Sequence, residues 1–229
     1  MTRPSAASSS DGPAAVLWDM DGTLVDSEKI WDIPLAELAV RLGGELSAET
    51  RAEMVGSNQE RTLRLLFAAL GLPAEPSALA DAGEWLVART AELFAAGLPW
   101  RPGAPEALRA IRDSGVPTAL VTSTVRELTE VALDSIGREY FDITLCGDEV
   151  TNPKPDPEPY LTAAARLGVD ITRCVVIEDS PTGVAAGVAS GATVLVIPCE
   201  VAVDSGERRL FRESLVGVDL SELSVVLSR

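Results

Sequence analysis

Apolar positions along the chain fall into two textures. Ala14-Ala15-Val16-Leu17-Trp18 is a continuous apolar run that stops at Asp19, the pattern of a strand buried on both faces. From about Ser27 to Phe94 the texture is helical, with Leu35, Leu38 and Leu42, then Leu63, Leu66, Phe67 and Leu70, at helical spacing. Gly43-Gly44 and Gly71-Leu72-Pro73 punctuate those helices, and no strand pattern interrupts them. After Pro99-Trp100-Arg101-Pro102-Gly103 helices alternate with strands. The predicted helices run Pro105 to Ser114, Val125 to Ile136, Pro157 to Leu167 and Thr182 to Ser190. The predicted strands run Pro117 to Val121, Ile143 to Cys146, Cys174 to Ile177 and Thr193 to Ile197. Such alternation predicts parallel pairing through right-handed crossovers.

The fold class is therefore α/β, a Rossmann-like parallel sheet core with an inserted all-α cap domain. Residues 1–26 and 100–229 form the expected core, with 1–12 a frayed, disordered tail, and 27–99 form the cap. The insertion begins just past the carboxyl end of the first strand, where open α/β sheets bind ligands, so it is placed to act as a lid. Glu200 to Arg212 reads as a polar loop over the sheet edge, before a final short helix near Ser221 to Leu227.

At 229 residues and 46% hydrophobic, the chain can build a sizeable core. Its net charge of -16 sets it against nucleic-acid backbones and anionic membrane surfaces. A phosphorylated ligand then needs a local cation, for which a metal ion or a placed Lys is the natural source. Cys146, Cys174 and Cys199 form no C-x-x-C pair and read as buried free thiols of a cytoplasmic protein. The absence of His removes Ser-His-Asp and Cys-His catalysis, His bases and His metal ligands together. Chemistry must run on carboxylates, hydroxyls, Lys or a bound ion.

Four segments carry that chemistry. In Trp18-Asp19-Met20-Asp21-Gly22-Thr23 two carboxylates lie two positions apart at a strand end, with Gly22 free to turn. Asp and Gly also favour plain turns, so this segment alone is equally a capped turn. Val176-Ile177-Glu178-Asp179-Ser180-Pro181 again places acids at a strand end, with Ser180 and Pro181 suited to cap a helix. Four acids converging on one sheet end (Asp19, Asp21, Glu178, Asp179) repel strongly without a cation. Thr122-Ser123-Thr124 offers hydroxyls at a third strand end, for phosphate or for capping. Lys154 lies between Pro153 and Pro155, which stiffen its backbone.

The order Asp-x-Asp, Thr, Lys, Glu-Asp, each at a strand end or nearby loop, resembles the haloacid dehalogenase superfamily. The likeness is to its subfamily with a helical cap after the first motif, the β-phosphoglucomutase and sugar-phosphate phosphatase branch, and covers Ala14 to Pro198. The resemblance implies a phosphoric monoester hydrolase acting on small phosphorylated metabolites. Asp19 would be the nucleophile and Asp21 the general acid and base. Thr122, Ser123 and Lys154 would hold phosphoryl oxygens, and Mg2+ would be held at Asp19, Asp21, Glu178 and Asp179. Asp21 separates phosphate-ester enzymes from members that cleave carbon–halogen bonds.

Cap residues bear on hydrolase against mutase. Where β-phosphoglucomutase relatives carry a His and a cap-loop Arg, this chain has Trp31 and Gln59. The segment through Trp31-Asp32 is similar to bacterial sugar- and hexitol-phosphate phosphatases. Trp31, Gly56, Ser57, Asn58 and Gln59 are the specificity candidates, although Trp31 also suits packing between helices and the loop suits a plain turn. A phosphatase of sugar or polyol phosphates is the leading expectation. The alternatives are a β-phosphoglucomutase-like phosphomutase, a phosphoglycolate or nucleotide phosphatase, or a non-catalytic binding protein.

Overall fold

In the computed structural model, which describes residues 12–228, six strands share one sheet. The tail expected over residues 1–12 lies, but for Gly12, outside the described residues. The strands are β1 (Ala15–Trp18), β2 (Thr118–Val121), β3 (Ile143–Leu145), β4 (Cys174–Glu178), β5 (Thr193–Val196) and β6 (Arg209–Phe211). Their order is β3-β2-β1-β4-β5-β6, and every pairing is parallel. Every residue of β1, β2, β4 and β5 is buried, which is why these segments read as unbroken apolar runs. Trp18 is in register with Leu120 on one side and Ile177 on the other, so the chain ends its three central strands at one level.

Nine α-helices and two single-turn 3-10 helices (Arg138–Tyr140 and Ile171–Arg173) complete the elements of the described residues. Five lie with the sheet: α5 (Ala104–Ser114), α6 (Arg126–Ile136), α7 (Glu158–Leu167), α8 (Pro181–Ser190) and α9 (Leu220–Leu227). Side chains of α5, α6 and α9 pack with Val16, Trp18, Leu120 and Ile177 on one face. Those of α7 and α8 pack with Leu17, Ala119, Val176 and Val194 on the other. Ser180 caps α8 as its sequence position suggests, accepting from the Gly183 N–H at 3.0 Å, with Pro181 opening the helix.

The other four helices are α1 (Glu28–Arg41), α2 (Ala48–Met54), α3 (Gln59–Ala69) and α4 (Pro76–Ala95). They bury a cluster of their own, built on Leu35, Leu38, Met54, Leu63, Leu66, Phe67 and Leu86. Further along α4, Val87 and Phe94 join the sheet's cluster instead, so one helix ties both bodies together. The two crossing segments are bonded to each other: Asp26 N–H donates to Pro99 O at 2.8 Å, and Arg101 N–H to Leu24 O at 2.9 Å. Among the described residues no helix is long and apolar enough to cross a membrane.

The reading of Glu200 to Arg212 as a loop needs correction, because Arg209–Phe211 forms β6. Only Leu210, in register with Leu195, gives this edge strand an apolar contact across the sheet. Three residues flanked by arginines carry no periodicity, and the pairing is supplied by β5.

Gly103 and Gly115 flank α5, both with left-handed backbone (φ 83° and 76°). A Cβ on Gly103 would lie 2.2 Å from the Val216 nitrogen, whereas Gly115 has nothing within 4 Å. Gly115→Ala should therefore cost about 1–2 kcal/mol, the left-handed penalty alone. Gly103→Ala should cost more by at least about 1 kcal/mol for the clash, read by urea denaturation. Equal losses would show that residues 215–216 yield freely.

Candidate active site

Asp19 follows β1 directly, and its N–H continues the ladder to Ile177 O at 3.0 Å. The chain then turns at Gly22 (φ 79°), where a Cβ would fall 2.2 Å from Asp179 Oδ2. Lys154 enters from the loop between β3 and α7 and is buried. Its Nζ donates to Asp19 Oδ1 at 2.8 Å, Glu178 Oε1 at 2.7 Å and Val121 O at 2.9 Å. Three bonds use all the protons an ammonium has.

Glu178 is equally committed. Its Oε1 accepts from Tyr160 OH at 2.9 Å as well as from Lys154. Its Oε2 accepts from the N–H groups of Asp179 and Ser180, at 3.0 and 3.2 Å, and from the Ser180 hydroxyl. A Cβ on Gly183 would lie 1.6 Å from Oε1, so α8 approaches this carboxylate closer than any side chain allows.

The carboxylates of Asp19, Glu178 and Asp179 lie within 4.8 Å of one another, all buried. Burial pushes the Asp19 carboxyl up to about 8, the charge of Glu178 adds to that, and Lys154 opposes it. Burial and then the charges of Glu178 and Asp19 hold Asp179 well above the usual carboxylate range. Burial works against the Lys154 ammonium, but Asp19 and Glu178 more than offset it and hold its pKa raised. One ammonium among three buried carboxylates leaves negative charge uncompensated in a medium of low dielectric. An all-oxygen donor set with surplus negative charge fits a hard divalent cation such as magnesium.

Asp21 faces the cap. Its Oδ1 accepts from Ser27 Oγ at 2.6 Å and Trp31 Nε1 at 3.1 Å, and its Oδ2 from Thr124 Oγ1 at 2.7 Å and Thr122 Oγ1 at 3.4 Å. Trp31 thus bonds a core carboxylate while standing edge-on to Phe94, with ring centroids 5.8 Å apart. The cap loop rests on the core as well. Ser123 Oγ donates to Gly56 O at 3.3 Å, and a Cβ on Gly56 would sit 2.5 Å from Ser180 Oγ.

Between cap and core lies a cavity lined by Asp19, Asp21, Lys154, Glu178 and Ser123 below and by Trp31, Gly56, Ser57 and Gln59 above. The structure does not bring every sequence candidate to this cavity. Asn58 caps α3, accepting from the Arg61 N–H at 3.0 Å, and lines an outer groove. Thr122 is buried behind the wall, accepting from the Thr124 N–H at 3.1 Å, and Thr124 lines the cavity. Glu28, Arg51 and Thr62 also line it, and Tyr160 supports it, without having been singled out from the sequence. Thr124 was signalled by lying inside the segment Thr122-Ser123-Thr124, whereas Glu28 lies just past the first acidic motif. Arg51 and Tyr160 carried no signal, being one polar residue each in an ordinary helical pattern.

Comparison with known proteins places this geometry in context. The family model described as haloacid dehalogenase-like hydrolase matches residues 13–191. Hexitol phosphatase B of Escherichia coli strain K12 is 29% identical over 217 residues, covering 94% of this chain and 95% of that protein. A phosphorylated carbohydrates phosphatase of Thermotoga maritima is 32% identical, covering 77% of this chain and 81% of its own. A crystal structure of a CbbY variant from Rhodobacter sphaeroides with xylulose-(1,5)bisphosphate superposes with TM-score 0.78 at 26% identity, covering 92% of this chain and 99% of that one.

Lys154→Met would leave three buried carboxylates without the chain's own cation, and should lower stability at pH 7 by about 3–5 kcal/mol in urea titration. Tyr160→Phe, which leaves Glu178 Oε1 its bond to Lys154, should cost only about 1 kcal/mol. Equal, small losses for both would mean that the ammonium does not hold the cluster together.

Proposed function

The chain belongs to the haloacid dehalogenase-like hydrolase family, and we propose that it is a magnesium-dependent phosphatase of small phosphomonoesters, acting through an aspartyl-phosphate on Asp19. The observation that carries this reading is Lys154, bonded at once to Asp19 and Glu178 beside Asp179, beneath a cavity that the Asp21 carboxylate also lines. The names of the hexitol and phosphorylated-carbohydrate phosphatase relatives support sugar or polyol phosphates as the substrate class.

In this reading an Asp19 carboxylate oxygen forms a bond to phosphorus while the bond from phosphorus to the alcohol oxygen breaks. Asp21 gives that oxygen a proton, and the neutral alcohol leaves. Asp21 then takes a proton from water as the water oxygen attacks phosphorus. Phosphate departs and Asp19 is restored. Lys154 holds Asp19 in place and offsets negative charge on the phosphoryl group. Ser123, on the cavity wall, would steady a phosphoryl oxygen, and Thr122, behind the wall, would act through its bond to Asp21. The Asp21 carboxylate is already oriented by four donors, two of them, Ser27 and Trp31, on the cap side, so its aim depends on where the cap sits.

Magnesium would be held by the carboxylates of Asp19 and Asp179 and the backbone carbonyl of Asp21. Glu178, with five protein donors on its two oxygens, acts from behind by fixing Lys154 and the turn at Asp179. When bound, the ion supplies positive charge that lets an anionic nucleophile and an anionic phosphate meet. A phosphomutase needs a free cation for a second phosphate, and the guanidinium in this cavity, Arg51, is already paired with Glu28.

Asp19→Asn should lower kcat for phosphate release from sugar phosphates by more than about a thousandfold, and chelation of magnesium should abolish turnover. Magnesium at a hundred times its Kd should stabilise the wild type by about 2.7 kcal/mol, a shift that Asp179→Asn should largely remove. A wild type that releases no phosphate from any sugar, polyol, nucleotide or glycolate phosphate would overturn the reading.

A further inference from the structure

The cap side of the cavity carries one guanidinium, and two carboxylates surround it. Arg51, from α2, donates through Nη2 to Glu28 Oε2 at 2.7 Å and to the Glu28 main-chain oxygen at 2.9 Å. Its Nε donates to Asp32 Oδ1 at 2.7 Å. Glu28 is 5% exposed and opens α1, so this acid lies inside the seam between cap and core rather than in solvent. Asp32, with a side chain 58% exposed, stands outside. Arg51 Nη1 has no hydrogen-bond partner among the described residues. Glu28 and Arg51 both line the cavity that holds Asp19, Asp21 and Lys154.

These groups decide what the cap can accept. A phosphate or carboxylate on the leaving group would need an uncompensated cation there. It would instead meet a guanidinium outnumbered by carboxylates, with Glu28 desolvated and Asp21 nearby. A hydroxyl is both donor and acceptor. It can accept from Arg51 Nη1 and donate to the Glu28 carboxylate; Gln59 on the same wall offers partners of both kinds, while Ser57, which donates to Met54 O, and Thr62, bonded to Ser57, can still accept. The wall therefore suits several uncharged hydroxyls and opposes a second anion.

Resting on the phosphatase reading above, we propose that the buried Glu28–Arg51 pair is a specificity device that selects monophosphates of uncharged polyhydroxy alcohols and rejects leaving groups carrying a second anionic group. Glu28 enforces the rejection, and Arg51 supplies a donor to a substrate hydroxyl. Removing the Glu28 charge leaves Arg51 compensated only by the exposed Asp32, and the cavity then gains the cation that a second anion requires.

The test compares kcat/KM of the full chain with magnesium for sorbitol 6-phosphate, fructose 1,6-bisphosphate and phosphoglycolate, each normalised to p-nitrophenyl phosphate, which has no distal polar group. Wild type should prefer sorbitol 6-phosphate to both anionic compounds by at least about tenfold. Glu28→Gln should compress that preference by about tenfold, through a gain on the anionic substrates and not only a loss on the polyol. Asp32→Asn, at an exposed position that leaves folding undisturbed, should shift the ratio in the same direction by less, and is decisive should Glu28→Gln not fold. A wild type that hydrolyses the bisphosphate or phosphoglycolate as efficiently as the polyol phosphate overturns the inference, as do ratios unchanged in the variants. In both cases the phosphatase reading survives. Release of phosphate from none of the compounds overturns both.

Discussion

A single buried ammonium organises the carboxyl end of this sheet. Lys154 gives its three protons to Asp19, Glu178 and the last carbonyl of β2, joining three strands that the chain delivers separately. Burying a charge is costly unless every partner is in place, and the surroundings are arranged to meet that condition. Tyr160 and the turn after β4 saturate Glu178, and Gly183 removes the side chain that would collide with it. Even so one ammonium faces three buried carboxylates, and burial first, then their mutual repulsion, pushes Asp19 and Asp179 above the ordinary carboxylate range. In the proposed function that surplus would suit the site to a divalent cation and, through the cation, to a phosphate.

The cap completes the site in two ways. It reaches Asp21 through Ser27 and Trp31, whose hydroxyl and indole N–H share that carboxylate with two threonines of the core. A displacement of α1 must therefore alter how Asp21 is held. It also closes the cavity with Gly56, which lies so near Ser180 that no side chain fits between them. In the proposed function the division of labour would be physical: the core would supply fixed charge for the phosphoryl group, and the cap a wall of paired polar groups for the rest of the substrate.

Much of this was legible in the sequence, for a reason that also marks where legibility stops. Strands buried on both faces declare themselves as apolar runs, and a carboxylate, hydroxyl or lysine that interrupts such a run stands out, as Asp19, Thr122 and Glu178 do. The α/β class and the helical insertion follow from the same contrast. β6 escaped because an edge strand of three residues takes its order from its neighbour. Asn58 reads as a candidate for contact with substrate, yet its side chain caps α3, and only the backbone path could reveal that. Arg51 and Glu28 lie on different helices and gain their meaning from meeting across the cap, as Tyr160 does beneath Glu178. Pairings between distant elements leave no local trace.

The central claim is that Asp19 receives the phosphoryl group while Asp21 moves the protons. Mixing Asp21→Asn protein with magnesium and p-nitrophenyl phosphate, whose leaving group needs no proton, tests it most directly. The account predicts a stoichiometric burst of nitrophenolate and a phosphoryl adduct found by mass spectrometry on the peptide containing Asp19, because the second step then lacks its base. An adduct on another residue, or steady turnover at the wild-type rate with none, would contradict it.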